Sequence, residues 1–489
     1  MTDMRPWRLF TIATLLATQS AAAAAWDPAE VWPAYREQQA ANPVEYRAQE
    51  VFPFNGGERR TYQLRSQRWP DPIVGDAWTH RVEVLVPDAP QPGPALLVVN
   101  NGVAYEGGDR PVAPPNDYSQ QDLEELVRSL GMAVVSIADV PPQAMTLPGD
   151  SRARTEDDLV GASWRRFLDA PSAHGQWPLH VPMAEAAIRA MDLADRELPA
   201  AMRSSYVATG ASKRGWATWL LPLVDDRISH LVPFAIDMNW EGFAPHIRRA
   251  YGGRWPIALT PYVQHGVTDE IGGPAFAQLM QVIDPYMYLQ GPRRQRLGLP
   301  KLLVNASGDD FFAPDGTNYY LSDLPGPTAL RMAPNSDHGG IRKFMAGTLQ
   351  PVLRRWRSGN AVPQLRSTWN KKVSAFDLAL EGDEAPQSAT LWQAHNPFGR
   401  DFRKACGIVY HSKEVPLSGS SAQRISVDLQ EEGWTASFVE LRFADGLVLT
   451  TPVQVTPVND FPLHPPAAGD GACALAPERS SDARNERRL

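Results

Sequence analysis

Six short, continuous apolar runs, at residues 95–100, 132–138, 206–209, 231–236, 301–305 and 328–333, set the architecture of this 489-residue chain. Runs of this length without polar alternation are expected of strands buried on both faces. Helical periodicity fills residues 119–130, 182–194 and 213–224 between them and resumes after His338. Strand and helix in alternation imply a mostly parallel sheet with helices on both faces. Two earlier stretches, 61–69 and 80–86, alternate apolar and polar side chains and fit an antiparallel edge.

Around this alternation the chain reads in blocks. Residues 26–57, rich in Pro, Ala and polar side chains, read as an irregular N-terminal arm, and the sheet-forming block spans 58–358. Within it, 239–296 carries Trp, Tyr, Pro and Gly without a clear strand, as expected of a helical lid inserted over the sheet. From 359 to 464 the short runs 373–380, 389–393, 407–410, 424–429, 437–443 and 448–455, with turn signals between them, predict a small β-sandwich. Its Trp392, Phe398, Phe402 and Trp434 form either an aromatic surface for a polymer or part of the sandwich core. Residues 465–489 are too polar to pack and predict a disordered tail.

The compartment and the partner classes follow from composition. Residues 1–25 have the layout of a secretory signal peptide, with Arg5 and Arg8, an apolar run over 9–17 and an alanine tract ending at Ala25. Thr18, Gln19 and Ser20 cut that run short of the roughly 20 residues a membrane anchor needs. A secreted or periplasmic protein with no stable membrane insertion is expected. Cys406 and Cys473 are the only cysteines, and they form either one bridge to the tail or two free thiols. A net charge of -8 without a long basic stretch argues against nucleic acid as a partner. None of the ten histidines shows metal-ligand spacing, so neither metal nor cofactor is expected.

The chemistry concentrates on three strand ends. Tyr206-Val-Ala-Thr-Gly-Ala-Ser-Lys-Arg-Gly-Trp216 runs from strand into helix with Ser212 at the sharp turn. A serine there is either an exposed nucleophile or a helix N-cap. Gly210 stands two residues before it, but Arg214 occupies the second glycine position of the usual pattern and Gly215 comes one later. The run 301–305 is followed by Asp309 and Asp310, and the run 328–333 by Asp337 and His338. Ser, Asp, His, each after a buried strand, is the chain order of an α/β-hydrolase triad. His338 would relay the proton of Ser212, oriented by Asp309 or Asp310, with Asp337 capping the following helix. Backbone N–H groups of Lys213 and of Asn101 or Gly102 are the expected oxyanion donors, although Asn101-Gly102 also fits a plain tight turn. Arg214 either contacts an anionic substrate group or, with Lys213, forms a structural ion pair.

The chain also resembles the PhoPQ-activated pathogenicity-related protein family, secreted bacterial proteins of the α/β-hydrolase superfamily. The resemblance rests on Glu156-Asp-Asp-Leu-Val160 with Trp164 and Phe167, Trp177-Pro-Leu-His-Val-Pro-Met183, Arg189-Ala-Met-Asp192 and Gly210-Ala-Ser-Lys-Arg-Gly-Trp216. It continues through Pro300-Lys301, Gly308-Asp-Asp-Phe-Phe312, Pro334-Asn-Ser-Asp-His338, Leu391-Trp392, Arg400-Asp-Phe-Arg403 and Gly433-Trp-Thr435. It implies virulence-associated regulation and favours Asp309 over Asp310 as the acid, but it implies no settled reaction. The serine motif is also similar to that of glucuronoyl esterases. The expectation is therefore an α/β-hydrolase acting on an ester or amide of a small molecule or peptide through an acyl-enzyme. The alternatives are a decayed scaffold with a binding or signalling role, and a carbohydrate esterase of the glucuronoyl type.

Overall fold

The computed structural model describes residues 26–70, 76–104, 111–382, 384–466 and 469–479. The expected signal peptide lies outside them. Nine strands form the main sheet: β1 (Glu45–Phe54), β2 (Gly57–Trp69), β3 (Asp76–Pro87), β4 (Ala95–Val99), β5 (Val134–Ile137), β6 (Tyr206–Ala211), β7 (Ile228–Phe234), β8 (Lys301–Ala306) and β9 (Thr328–Ala333). Their order is β1-β2-β3-β5-β4-β6-β7-β8-β9, antiparallel from β1 to β5 and parallel from there to β9. This is an α/β-hydrolase sheet.

Nine α-helices accompany it among the described residues: α1 (Val31–Ala40), α2 (Gln120–Leu130), α3 (Glu156–Asp169), α4 (His180–Glu197), α5 (Lys213–Leu220), α6 (Trp240–Ala250), α7 (Thr260–Gln264), α8 (Pro274–Ile283) and α9 (Arg342–Arg357). The sequence of β4 explains why both sheet faces are covered. Ala95, Leu97 and Val99 join the apolar cluster of α4 and α5, whereas Leu96 and Val98 join that of α2 and α9. Each fully buried Leu or Val there stabilises the sheet by roughly 1.5–3 kcal/mol. α2 begins where Ser119 and Asp122 cap each other's backbone N–H and ends at Gly131, whose φ of +60° suits glycine.

Two expectations change. The arm over 26–57 is ordered: α1 buries Val31, Trp32 and Tyr35, and β1 is the edge strand of the main sheet. β1 is almost wholly exposed, so it carried no apolar alternation to read. Residues 239–296, expected as a lid, contain α6, α7 and α8 with short 3₁₀ turns. The tail is ordered as far as it is described. Cys473 is bridged to Cys406, the Arg403 guanidinium donates to the carbonyls of Ala472, Cys473 and Ala474, and Leu475 pairs with Pro256 of the lid. Those covalent and hydrogen-bonded ties override a composition too polar to pack alone; residues 480–489 lie outside the described set.

Two antiparallel sheets occupy the region expected to form the β-sandwich. One is β10 (Gln364–Asn370), β11 (Ala375–Glu381) and β14 (Ala422–Ser426); the other is β12 (Ser388–Asn396), β13 (His411–Val415), β15 (Trp434–Arg442), β16 (Val448–Thr450) and β17 (Gln454–Thr456). Their Phe376, Leu378, Leu391 and Val439 share a cluster with Met345 and Leu349 of α9. The run at 407–410 is not a strand, because Gly407 turns the chain at φ +79°. Of the four aromatics, Phe402 is buried, Trp392 and Trp434 pack half-buried against its cluster, and Phe398 is 85% exposed. No helix among the described residues is long and apolar enough to cross a membrane.

Candidate functional site

Ser212 occupies the turn between β6 and α5 with φ +56° and ψ -128°. A non-glycine residue held at positive φ costs on the order of 1–3 kcal/mol and persists only where its surroundings enforce it. Here the Ser212 N–H donates to Phe234 O (2.8 Å), and its carbonyl accepts from Trp216 N–H (2.9 Å). The side chain makes no capping bond to α5, so the N-cap alternative is not realised. Glycine is needed at 210, where a Cβ would lie 2.8 Å from Arg214 O, and at 215, where it would lie 2.9 Å from Gly210 O. The close approach thus falls one residue later than the usual pattern, and position 214 is free to carry a side chain.

That side chain is committed elsewhere. The Arg214 guanidinium donates to both oxygens of Glu156 (2.8 and 3.0 Å) and to Val140 O (2.6 Å). Lys213 Nζ reaches Glu156 Oε2 (2.7 Å) and Asp157 Oδ2 (3.2 Å). Burial pushes the Glu156 carboxyl up, but Arg214 and Lys213 outweigh it and hold the group well below the usual carboxylate range. Of the two roles open to it, substrate contact or structural ion pair, Arg214 therefore takes the buried ion pair. Gln143 completes the cluster: it donates to Glu156 Oε1 (2.7 Å) and to Gly102 O (3.0 Å) and accepts from Glu156 N–H (2.8 Å). The three successive acids Glu156, Asp157 and Asp158 in the first turn of α3 are the signal that could have found this helix.

Asp309 follows β8 and His338 follows β9, and the structure brings them together. His338 Nδ1 lies 2.9 Å from Asp309 Oδ2 and 3.1 Å from Oδ1. Asp309 Oδ1 also accepts from the N–H groups of Phe311 (2.8 Å) and Phe312 (3.3 Å), which fixes the carboxylate. Burial disfavours the imidazolium of His338, yet the Asp309 carboxylate outweighs it and raises the imidazole above its ordinary range. The ring packs on Phe311 at a centroid distance of 4.5 Å. Asp310 makes no hydrogen bond to the imidazole among the described residues. Its buried Oδ1 has no partner among the described residues, and burial with the nearby Asp309 and Asp337 pushes the carboxyl up to about 6. Asp337 accepts from Gly340 N–H (2.6 Å) and so holds the 3₁₀ turn before α9, whereas α9 itself starts after Ile341 without a side-chain cap, not capped by Asp337 as expected.

Ser212 and His338 line one cavity of about 170 Å³, together with Asn101, Asp117, Lys213 and Arg342. With Nδ1 on Asp309, Nε2 is the other ring nitrogen of His338. Among Asn101, Gly102 and Val103, the Asn101 N–H donates to Asn100 Oδ1 (3.0 Å) and Val103 N–H to Ala113 O (3.0 Å). Asn101 is thus corrected as an oxyanion donor; its side chain instead holds Asn116 and Asp117. Gly102 N–H has no partner among the described residues, and its φ of +137° against Asp139 excludes a side chain. Lys213 N–H opens α5, where the helix dipole favours negative charge. One group among the described residues has ligand spacing, Asp401 with Cys406 and Cys473, and its sulfurs are tied in the disulfide.

The PhoPQ-activated pathogenicity-related protein family matches residues 33–403, about three quarters of the chain. The chain belongs to that family. It is also similar to autocrine proliferation repressor protein A of Dictyostelium discoideum, 27% identical over 408 residues, which cover 78% of each chain. Among solved structures, acetyl xylan esterase 1 of Thermoanaerobacterium sp. aligns with 66% of this chain and 92% of its own at 14% identity and a TM-score of 0.44. A glucuronoyl esterase of Solibacter usitatus aligns with 60% of this chain and 82% of its own at 12% identity and a TM-score of 0.37.

Proposed function

We propose that the protein is an exported serine hydrolase that cleaves an ester or amide through an acyl-enzyme on Ser212. The observation that carries this reading is a strained, uncapped Ser212 sharing a cavity with a His338 whose Nδ1 is held by Asp309. In the first step Ser212 Oγ attacks the substrate carbonyl carbon while its proton passes to His338 Nε2. Charge on the carbonyl oxygen is met by the N–H groups of Lys213 and Gly102. The bond to the leaving group then breaks as His338 returns the proton to it. Water repeats the sequence on the acyl-enzyme, so acid leaves and Ser212 regains its proton. Asp309 keeps the imidazole in one tautomer and supports the imidazolium throughout. No cofactor enters any step.

Export is supported by the Cys406–Cys473 bridge, since such bonds persist in oxidising compartments. The decayed-scaffold reading gains from the name of the Dictyostelium relative, a proliferation repressor. An intact Asp309–His338 pair argues the other way, because a decayed site need not keep it. The test is labelling with a fluorophosphonate: wild type reacts and Ser212→Ala does not. Equal labelling of the two would remove Ser212 from the mechanism, and any biological effect unchanged in His338→Ala would favour the scaffold reading.

A further inference from the structure

Two cavities meet at Ser212 and Lys213, and they differ in chemistry. The first, under the lid, has a volume of about 40 Å³ and is walled by aromatic and aliphatic side chains, among them Trp216, Trp240, Trp255, Ile271 and Phe311. Its polar members are of two kinds. Asp157 accepts from Tyr262 OH (3.0 Å) and from Lys213 Nζ (3.2 Å), whereas the indole nitrogens of Trp164 and Trp240 and both His180 ring nitrogens are buried without a hydrogen-bond partner among the described residues, none of them open to the cavity. Burial also pushes His180 down to about 3, so it brings no charge. One water needs on the order of 10–15 Å³ of such space, so this cavity holds only a few heavy atoms. The second cavity, at about 170 Å³, is larger and polar. Its three carboxylates, Asp117, Glu156 and Asp157, face three cations, Lys213, Arg214 and Arg342.

His338 decides which part of a substrate goes where. It lines the polar cavity and not the apolar one. A general acid must reach the atom it protonates, which in the first half-reaction is the leaving-group oxygen or nitrogen. The leaving group therefore lies on the polar side. The acyl group, still attached to Ser212 once the leaving group has gone, is directed into the aromatic cavity. We infer that the substrate is a short, apolar acyl group joined to a polar leaving group without net charge, such as a polyhydroxylated alcohol. The charge balance of the second cavity is what excludes a strongly ionic leaving group: three opposed pairs leave no unmatched charge to recognise one.

This inference rests on the reading of Ser212 as nucleophile, and one experiment separates the two. Acid release is followed by pH-stat titration with the glycerol monoesters of acetate, butyrate, 3-hydroxybutyrate and octanoate, and with hexyl butyrate. Glycerol acetate or butyrate is expected to exceed glycerol octanoate and hexyl butyrate by about tenfold or more in kcat/KM, since a methylene that does not fit is worth that much. Ile271→Ala, which enlarges the aromatic cavity, is expected to move the optimum to a longer acyl chain. Octanoate or hexyl esters turned over as well as glycerol butyrate, a preference for 3-hydroxybutyrate, or no glycerol ester cleaved at all would overturn the inference. If the protein nevertheless labels with fluorophosphonate at Ser212, the hydrolase reading stands and only the subsites fall. If it does not label, both fall together.

Discussion

The two walls that meet at Ser212 are assembled in different ways. On the sheet side, Ser212, Asp309 and His338 each stand within a few residues of their own strand, and neighbouring strands fix them through backbone bonds such as Ser212 N–H to Phe234 O. On the lid side, order depends on chain from far away. Trp216 Nε1 donates to Ile283 O (2.6 Å), Asp284 accepts from the N–H groups of Asn239 and Trp240, and Trp255 O accepts from Ala476 N–H (2.8 Å). A wall built on strands holds reacting atoms to the small tolerance catalysis requires. A wall built on an insertion can vary in shape without moving them. Chemistry should therefore follow the first wall and substrate choice the second.

The sharpest way to break that comparison is to alter the sheet wall. Asp309→Asn is expected to lower kcat by about four orders of magnitude with little change in KM, because it loses the tautomer and the support for the imidazolium. The pH profile gives a second readout. Only neutral His338 can take the proton of Ser212, and Asp309 raises its pKa above the ordinary value near 6.5. Activity should therefore be lost, as pH falls, at a higher pH than for an unperturbed histidine, and Asp309→Asn should move that limb downward. A KM effect in place of the kcat effect would put Asp309 in the substrate wall instead.

Glu156→Gln tests the joint between the walls. It leaves Lys213 and Arg214 buried without a full counter-charge, a change that costs about 3–5 kcal/mol when one partner of a buried pair is removed. The expected outcome is a lower midpoint in thermal unfolding, together with a raised KM. Unchanged stability would mean that solvent or Asp157 already serves Lys213.

Much of this division could be read before any coordinates. The six apolar runs located six strands of the main sheet because strands buried on both faces need continuous apolar sequence, and the places of Ser212, Asp309 and His338 just after three of those strands followed from their order. Periodicity failed for α1 and β1, where Trp32 is buried in a polar, proline-containing stretch and the strand is exposed along its length. Arg214 pairs with a residue 58 positions away, and no local pattern announces such a partner. Asn101 and Gly102 are equivalent in sequence; only the bond from Asn101 N–H to Asn100 Oδ1 separates them. The tail read as disorder because composition cannot register one disulfide and one arginine shared by three carbonyls.

That tail supplies a smaller perturbation confined to the lid wall. With Cys406 and Cys473 both changed to Ser, the segment bearing Leu475 and Ala476 loses its covalent tie, and native disulfides contribute about 2–4 kcal/mol. Hydrogen exchange should quicken at Ala476 and Ile257, whose N–H groups donate to Trp255 O and Ala474 O. KM should rise more than kcat falls. A dominant loss of kcat would show that the lid also positions the triad, and the comparison of walls would have to be abandoned.

The smallest effect is expected from Phe398→Ser. Phe398 is 85% exposed and belongs to neither wall, while Phe402, four residues on, is buried in the cluster of the second antiparallel sheet. Substitution at an exposed site without special contacts is usually within about 0.5 kcal/mol. Thermal midpoint, kcat and KM for glycerol esters should all stay as in wild type. A fall in KM-limited turnover on a polymeric ester, with glycerol esters unaffected, would give the exposed ring a role in substrate capture and add a third surface to the two that meet at Ser212.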